Sequence, residues 1–186
     1  SAAEVDAAVA QCSAETLAAL EFARDRIQEH HARQLPPDDR YRDASGVELG
    51  HRWTAVESVG LYVPGGLASY PSSVLMNAVP AKVAGVPRIV MVVPSPRGEL
   101  NPLVLAAARL AGVEEIYRIG GAQAVAALAY GTQSIAPVVK IESRVHRSGA
   151  GARTSTGSSA RASGAWIESA RCLGGSESRI PNVESI

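Results

Sequence analysis

Two glycine pairs each follow an apolar, strand-like run and precede a helix-like run. The first is PGG at residues 64–66, after VGLYV at 59–63, and the second is GGAQ at 120–123, after EIYRI at 115–119. Glycine after a strand permits a positive φ and close approach of another backbone. The next helix offers free N–H groups and a positive dipole end to an anion. Both turns are compatible with a phosphate-binding surface, and also with tight connections that hold no ligand.

Two side chains beside these turns are candidates for contact with a ligand. Tyr62 ends the strand before the first turn, and Gln123 falls in the first turn of the helix after the second. An amide there can donate to and accept from a ligand, or cap its own helix, and a tyrosine ring can equally belong to the core. The first pair also lacks GxGxxG spacing, so the residues alone leave both alternatives open.

The histidines do not form a metal or catalytic pattern. His30 and His31 are adjacent on a helix and point about 100° apart, so they cannot chelate as i, i+4 pairs do. We expect them at a solvated helix end, and we expect His51 in a polar surface loop. No Ser-His-Asp, Cys-His or paired-carboxylate set is legible in the sequence. The sequence therefore predicts no catalytic residue and no metal ligand.

Composition and net charge do not indicate nucleic acid or a membrane as a partner. The 186 residues are 46% hydrophobic and carry a formal net charge of zero, which gives no reason to expect nucleic acid or a membrane surface as a partner. No apolar run approaches the ~20 residues that a membrane helix needs. The two cysteines, Cys12 and Cys172, form neither a metal-binding spacing nor a dense disulfide framework. A cytoplasmic location follows as the expectation.

Before its last 45 residues, the chain divides into three segments that differ in sequence pattern. Residues 1–35 predict a helical segment, with a Ser1–Glu4 capping box and a second cap at Ser13. Residues 36–56 are polar and predict a linker across the surface. From residue 57 strands and helices alternate, with strands at 59–63, 88–93 and 115–119, and helices at 72–85, with Ser72 or Ser73 as cap, 101–111 and 122–130.

The alternating region predicts an α/β fold with a parallel sheet. Its apolar runs are short and continuous, which suits strands that are covered on both faces. Strand–helix alternation implies βαβ units with right-handed crossovers, and ligands of such sheets lie beyond the carboxyl ends of the strands. Both glycine pairs fall at those ends.

The last 45 residues, 142–186, have a different composition. Ser, Gly, Ala and Arg make up 28 of them, and no hydrophobic period is visible. Such a segment is predicted to be a low-complexity, disordered tail. Its six Arg against four Glu give too small an excess to predict RNA binding.

Several motifs in order resemble those of the histidinol dehydrogenase family. They are YVPGG at 62–66, YPSSVLM at 70–76, PAKVAGV at 80–86, GGAQA at 120–124 and ALAYGT at 127–132. The resemblance covers about three quarters of the chain, residues 1–141. It implies oxidation of L-histidinol to L-histidine in histidine biosynthesis, with two NAD molecules in sequence, a zinc ion and a homodimer. It further implies that 57–141 is part of a Rossmann-like NAD-binding domain, in which Tyr62 and Gln123 contact NAD.

The chain then departs from the family pattern. After Lys140 and Ile141 the family has a Gly-Pro-Gly-Asn loop whose Asn touches NAD, and His146 stands at the place of that Asn. The family's zinc ligands and its proton-handling Glu-His pair belong to later segments. We therefore expect a truncated chain with an incomplete sheet that, made alone, binds no zinc, does not turn over histidinol and aggregates. A frameshift in GC-rich DNA is the hypothesis for the tail, and a non-catalytic nucleotide-binding or dimerisation module is the alternative function.

Overall fold

The structure, a computed structural model, describes residues 1–64, 70–95, 98–143 and the strand 166–172. The first glycine pair and most of the tail, His146 included, lie outside the described residues. Two compact units are present, one of Ser1–Leu35 with Ala55–Trp166 and the other of Pro36–Thr54 with Ile167–Ile186. The elements, in chain order, are α1 (Ala2–Ala10), α2 (Ala14–Ala32), β1 (Asp39–Arg42), β2 (Glu48–Ala55), β3 (Ser58–Tyr62), α3 (Pro71–Val83), β4 (Arg88–Val92), α4 (Pro102–Leu110), β5 (Glu115–Tyr117), α5 (Gly121–Tyr130), β6 (Lys140–Ser143) and β7 (Trp166–Cys172).

Two capped helices open the larger unit, as the sequence predicts. The Ser1 side chain accepts from the Glu4 N–H in a capping box, and the Ser13 hydroxyl accepts from the Thr16 N–H at 3.2 Å. Helix α1 packs against α4, and α2 packs against α3. The expectation of a solvated end is wrong for His31, which is buried, whereas its neighbour His30 is exposed.

A four-stranded parallel sheet, in the order β5-β4-β3-β6, forms the centre of this unit. Alternate residues of each strand point to opposite faces. Along β4, Ile89 and Met91 join the cluster formed with α3 and α4, while Val90 and Val92 join the cluster formed with α5. The predicted α/β fold with helices on both faces is confirmed.

The start of α3 differs from the sequence expectation. Its N-cap is Tyr70, without a side-chain cap, and Pro71 occupies the first helical position, where a missing N–H does no harm. The hydroxyls of Ser72 and Ser73 therefore do not cap this helix. Ser73 is instead buried, and its carbonyl accepts from the Asn77 amide at 2.7 Å.

The smaller unit contains a sheet in the order β1-β2-β7. Strands β1 and β2 pair antiparallel, so residues 36–56, predicted as a linker, contain a hairpin. Its turn is built by Asp43, whose carboxylate accepts from the N–H groups of Ser45 and Val47, and by Gly46 at φ +81°. His51 consequently lies in β2 and not in a loop.

The tail contributes strand β7, residues 166–172, to this second sheet. These seven residues differ from the expectation of a disordered tail. The remainder of that prediction concerns residues outside the described ones. Among the helices of the described part, none combines the length and apolar character that crossing a bilayer demands.

Candidate functional site

Tyr62 lies at the carboxyl end of β3, where the strand order reverses. Strand β3 pairs with β4 on one side and with β6 on the other. The chain moves outward from β3 through β4 to β5, and then returns to the far side of β3 as β6. Open α/β sheets bind ligands outside the carboxyl ends of their strands at such a switch point. The topology thus places Tyr62 at the position where this class of sheet holds its ligands.

The second glycine pair lies against the Tyr62 hydroxyl. Helix α5 begins at Gly121, with Gly120 as an N-cap that supplies no side chain. The Gly121 N–H donates to the Tyr62 hydroxyl oxygen at 3.0 Å. The Tyr62 ring also packs against the cluster under α5. The Tyr62 ring therefore packs in the core, while the Tyr62 hydroxyl binds the start of α5 at the carboxyl end of the sheet.

Gln123 is the third residue of α5, and its side chain is exposed. It lies back over the turn, because a Cβ added to Gly121 would come within 2.7 Å of its Oε1 atom. No described residue forms a hydrogen bond with the Gln123 amide. The amide therefore has both its donor and its acceptor capacity available at the edge to which Tyr62 belongs.

The segment that follows β4 also reaches the carboxyl end of the sheet, beside the start of α5. A Cβ added to Gly120 would lie 2.5 Å from Cγ of Pro94, two residues beyond the end of β4. Sequence reasoning missed this contact because no local pattern links Pro94 to Gly120. Gly120 itself was the available signal, since glycine lets another segment of the chain approach its backbone closely.

An ionic cluster lies at the opposite end of the sheet, at the amino ends of β4 and β5. Arg88 begins β4 and makes a bidentate pair with Glu115, the first residue of β5, at 2.8 and 2.9 Å. Arg88 also donates to the carbonyls of Ala136 and Pro137, and the Tyr117 hydroxyl donates to the Ser134 carbonyl. The cluster therefore fastens the segment before β6 to the amino ends of the strands.

This cluster shifts the titration of its members. Hydrogen bonds from Arg88 lower the pKa of Glu115, and the same contact raises the pKa of Arg88. Burial and the nearby Glu115 carboxylate raise the pKa of Tyr117. Glu115 is a structural ion-pair partner of Arg88, and its place at the amino ends of the strands separates it from the candidate site.

Metal-ligating side chains do not come together in the part of the chain that the structure describes. Within it, no group of three or more His, Cys, Asp or Glu side chains could hold a metal ion. His30 bonds to Gln34, and the His51 ring meets the Trp53 ring edge to face. These residues do not fit a zinc site, so no zinc-dependent step is derived from them.

Comparison with known proteins decides the family. The family model "Histidinol dehydrogenase" matches residues 1–143. The chain belongs to the histidinol dehydrogenase family. Members of this family are oxidoreductases, and the resemblance seen in the sequence motifs is confirmed.

Curated histidinol dehydrogenases are similar over the same region. The protein of Brucella abortus (strain 2308) is 76% identical over 139 residues, which are 75% of this chain and 32% of that protein. The protein of Bradyrhizobium diazoefficiens is 74% identical over 141 residues, 76% of this chain and 33% of that protein. The chain thus spans about a third of the length of the curated relatives it matches.

A solved histidinol dehydrogenase supports the fold. The crystal structure of the enzyme from Elizabethkingia anophelis matches with a TM-score of 0.76 and 34% identity, over 79% of this chain and 34% of that chain. The Rossmann-like architecture of the sheet is thereby confirmed. The assignment of Tyr62 and Gln123 as NAD contacts stays a prediction.

Proposed function

We propose that this chain forms an NAD-binding part of a histidinol dehydrogenase, which oxidises L-histidinol to L-histidine. The hydrogen bond from the Gly121 N–H to the Tyr62 hydroxyl carries the proposal. It joins a tyrosine at the switch point to the helix start that bears Gln123. Family membership supports the reaction, and this geometry supports the place at which the nucleotide binds.

The residues at this edge have the chemistry that a dinucleotide requires. The first turn of α5 presents backbone N–H groups and the positive end of the helix dipole, which favour a negatively charged group. The Tyr62 hydroxyl accepts from Gly121 and retains its own proton for donation to a ligand oxygen. The exposed Gln123 amide can donate and accept at once. These groups bind and orient, and NAD, when bound, accepts the hydride.

Catalysis by the described residues is not part of the proposal. They assemble no zinc site, and none of them is assigned a proton-transfer role. The use of zinc, the homodimer and the cytoplasmic location are family expectations that we carry as part of the proposal for the whole enzyme. The second candidate is a non-catalytic nucleotide-binding or dimerisation module, and the contact between Gly121 and Tyr62 supports nucleotide binding in that case as well.

Titration calorimetry of the 186-residue chain with NAD tests the proposal. We expect saturable binding, and we expect Gln123→Ala to raise the Kd about 3- to 10-fold, the effect of one or two hydrogen bonds. The matched control is Gln28→Ala, an exposed glutamine on α2, which is expected to leave the Kd unchanged. Absence of NAD binding by the folded chain, or equal effects of the two substitutions, would contradict the proposal.

A further inference from the structure

The segment after β4 is fixed in place before it reaches the candidate site. The Val93 N–H donates to the Tyr117 carbonyl at 3.0 Å, which extends the pairing of β4 with β5 by one residue. The Val93 side chain is itself buried in the core. Pro94 follows directly, and its ring locks its own φ. The position of Pro94 is therefore set by the strand pairing that precedes it and by the fixed φ of its own ring.

Pro94 packs directly against Gly120 at the start of α5, where a side chain on residue 120 would have no room. A Cβ on Gly120 would lie 2.5 Å from Cγ and 2.7 Å from Cβ of Pro94, distances that Cβ atoms do not adopt. Gly120 has φ −142°, a conformation open to any residue. The requirement for glycine at this position is thus steric, and it comes from Pro94.

The same turn is held from a second direction by Tyr62. The Gly121 N–H donates to the Tyr62 hydroxyl, while Gly120 abuts Pro94. Two contacts from two strand ends fix the first turn of α5, and Gln123 projects from that turn. A shift at Gly120 therefore moves both the helix start and the Gln123 amide.

We propose that Pro94 is a positioning residue for NAD binding, which sets where α5 begins through its contact with Gly120. The inference rests on the proposed function, because it concerns the affinity of that site. Pro94 acts through Gly120 and Gly121, and a direct contact between Pro94 and the nucleotide is not part of the inference.

A cycle of Gly120→Ala, Pro94→Gly and the double variant tests the inference in the full chain. Gly120→Ala is expected to weaken NAD binding about tenfold or more, the scale expected for a displaced binding group. The double variant, in which the proline ring is absent, is expected to recover to within about threefold of Pro94→Gly alone, because the two sites share one contact. No recovery, or an unchanged Kd in Gly120→Ala, would overturn the inference.

Gly85→Ala is the control for general loss of stability. Gly85 has φ +84° and open space around its missing Cβ, so alanine there strains the backbone without a steric clash. Gly85 lies between α3 and β4, at the amino edge of the sheet. Its substitution is expected to lower the melting temperature and leave the Kd for NAD unchanged. An equal loss of affinity in Gly85→Ala would assign the effect to instability and sink the inference.

Hydrogen exchange of the Gly121 amide provides a readout that does not need NAD. Exchange is expected to accelerate in Gly120→Ala and to slow again in the double variant, because the bond to Tyr62 is lost and regained. If the wild-type chain binds no NAD, the proposed function fails, and this exchange pattern still decides whether Pro94 positions the turn. Identical exchange in all four proteins would overturn the positioning contact itself.

Discussion

The Tyr62 hydroxyl oxygen accepts a hydrogen bond from the backbone N–H of Gly121 at 3.0 Å, across 59 residues of sequence. The bond joins the end of β3 to the beginning of α5. The Tyr62 ring packs in the core, and its hydroxyl holds the turn at which α5 begins. Substitution of Tyr62 therefore tests the role of this hydrogen bond.

Tyr62→Phe keeps the ring and removes the acceptor. Because water can replace the lost partner of an exposed N–H, the free energy of unfolding is expected to fall by only about 0.5–1.5 kcal/mol. The Kd for NAD is expected to rise about 3- to 10-fold if the hydroxyl also binds the nucleotide. Urea denaturation and calorimetry measure the two effects.

Tyr117→Phe is the matched control for this substitution. Tyr117 ends β5, but its hydroxyl belongs to the Arg88–Glu115 cluster, where it donates to the Ser134 carbonyl. Phenylalanine leaves in place the Tyr117 carbonyl that accepts from Val93. A similar stability loss without a change in NAD affinity is expected. Weakened NAD binding in Tyr117→Phe of the same size as in Tyr62→Phe would remove the argument for a specific role of Tyr62.

Glu115→Gln is expected to produce a pH-dependent loss of stability. The folded chain lowers the pKa of Glu115 from its ordinary value of 4.5, mainly through hydrogen bonds from Arg88. The stabilisation is therefore complete above that ordinary value, and it disappears as the pH falls through the lowered folded pKa. Since the pair is about one third exposed, we expect a loss of about 1 kcal/mol at pH 7.

Urea denaturation at pH 7 and at a series of acidic pH values measures this difference. The gap between wild type and Glu115→Gln should narrow below about pH 4.5, the ordinary pKa of the carboxyl. Glu48→Gln, which breaks the pair with the largely exposed Arg40, serves as the control and should cost no more than about 0.5 kcal/mol. A gap that is constant with pH would show that the Glu115 charge does not contribute.

Gly60→Ala is expected to overpack the interface between β3 and α5. Its Cβ would lie 3.0 Å from Cδ1 of Leu128 and 3.0 Å from Cγ2 of Val138, and Leu128 is fully buried. We expect a loss of about 1–3 kcal/mol. Leu128→Ala alone should cost about 2–5 kcal/mol through the cavity it leaves.

The double variant tests whether the two residues share one space. In Gly60→Ala with Leu128→Ala the added methyl partly fills the vacated volume, so the combined loss should be smaller than the sum by about 1 kcal/mol. Chemical denaturation of the three variants supplies the measurement. Strict additivity would mean that Gly60 is not limited by Leu128.

The chain made alone is expected neither to bind zinc stoichiometrically nor to oxidise histidinol. A zinc site usually needs three or four protein ligands, and the described residues bring no such group together. Metal analysis after dialysis and NADH absorbance in the presence of NAD, zinc and histidinol provide the measurements. Turnover that persists after removal of any host enzyme would place an active site in this chain and refute the expectation.

The strands β3, β4 and β5 could be predicted from runs of hydrophobic residues. Predicted strands at 59–63, 88–93 and 115–119 correspond to β3, β4 and β5, with ends that differ by one or two residues. The capping residues Ser1 and Ser13 were readable for the same reason, because a cap is a local signal. Short continuous apolar runs and local capping hydrogen bonds are visible in the sequence without knowledge of distant partners.

What sequence reasoning missed depends on distant contacts. The hairpin of β1 and β2 escaped because its residues are polar and gain order from backbone pairing and the Asp43 turn. The burial of His31 and the ion pair of Glu115 depend on helices and strands that pack from elsewhere in the chain. In the candidate site, Tyr62 and Gln123 were singled out from the motifs, whereas the contact between Pro94 and Gly120 needed three-dimensional coordinates.

Strand β6 joins the sheet beside β3, although the Val139 N–H and the Ser58 hydroxyl that meet there are 81 residues apart in sequence. Closing so large a loop is entropically costly, and contacts of high sequence separation slow folding. Strands β3, β4 and β5 lie adjacent in chain order and can pair as they leave the ribosome, but β6 must wait for all of them. Among these four strands, the pairing that creates the switch point at Tyr62 therefore closes the longest loop, and we expect it to form after the other two pairings.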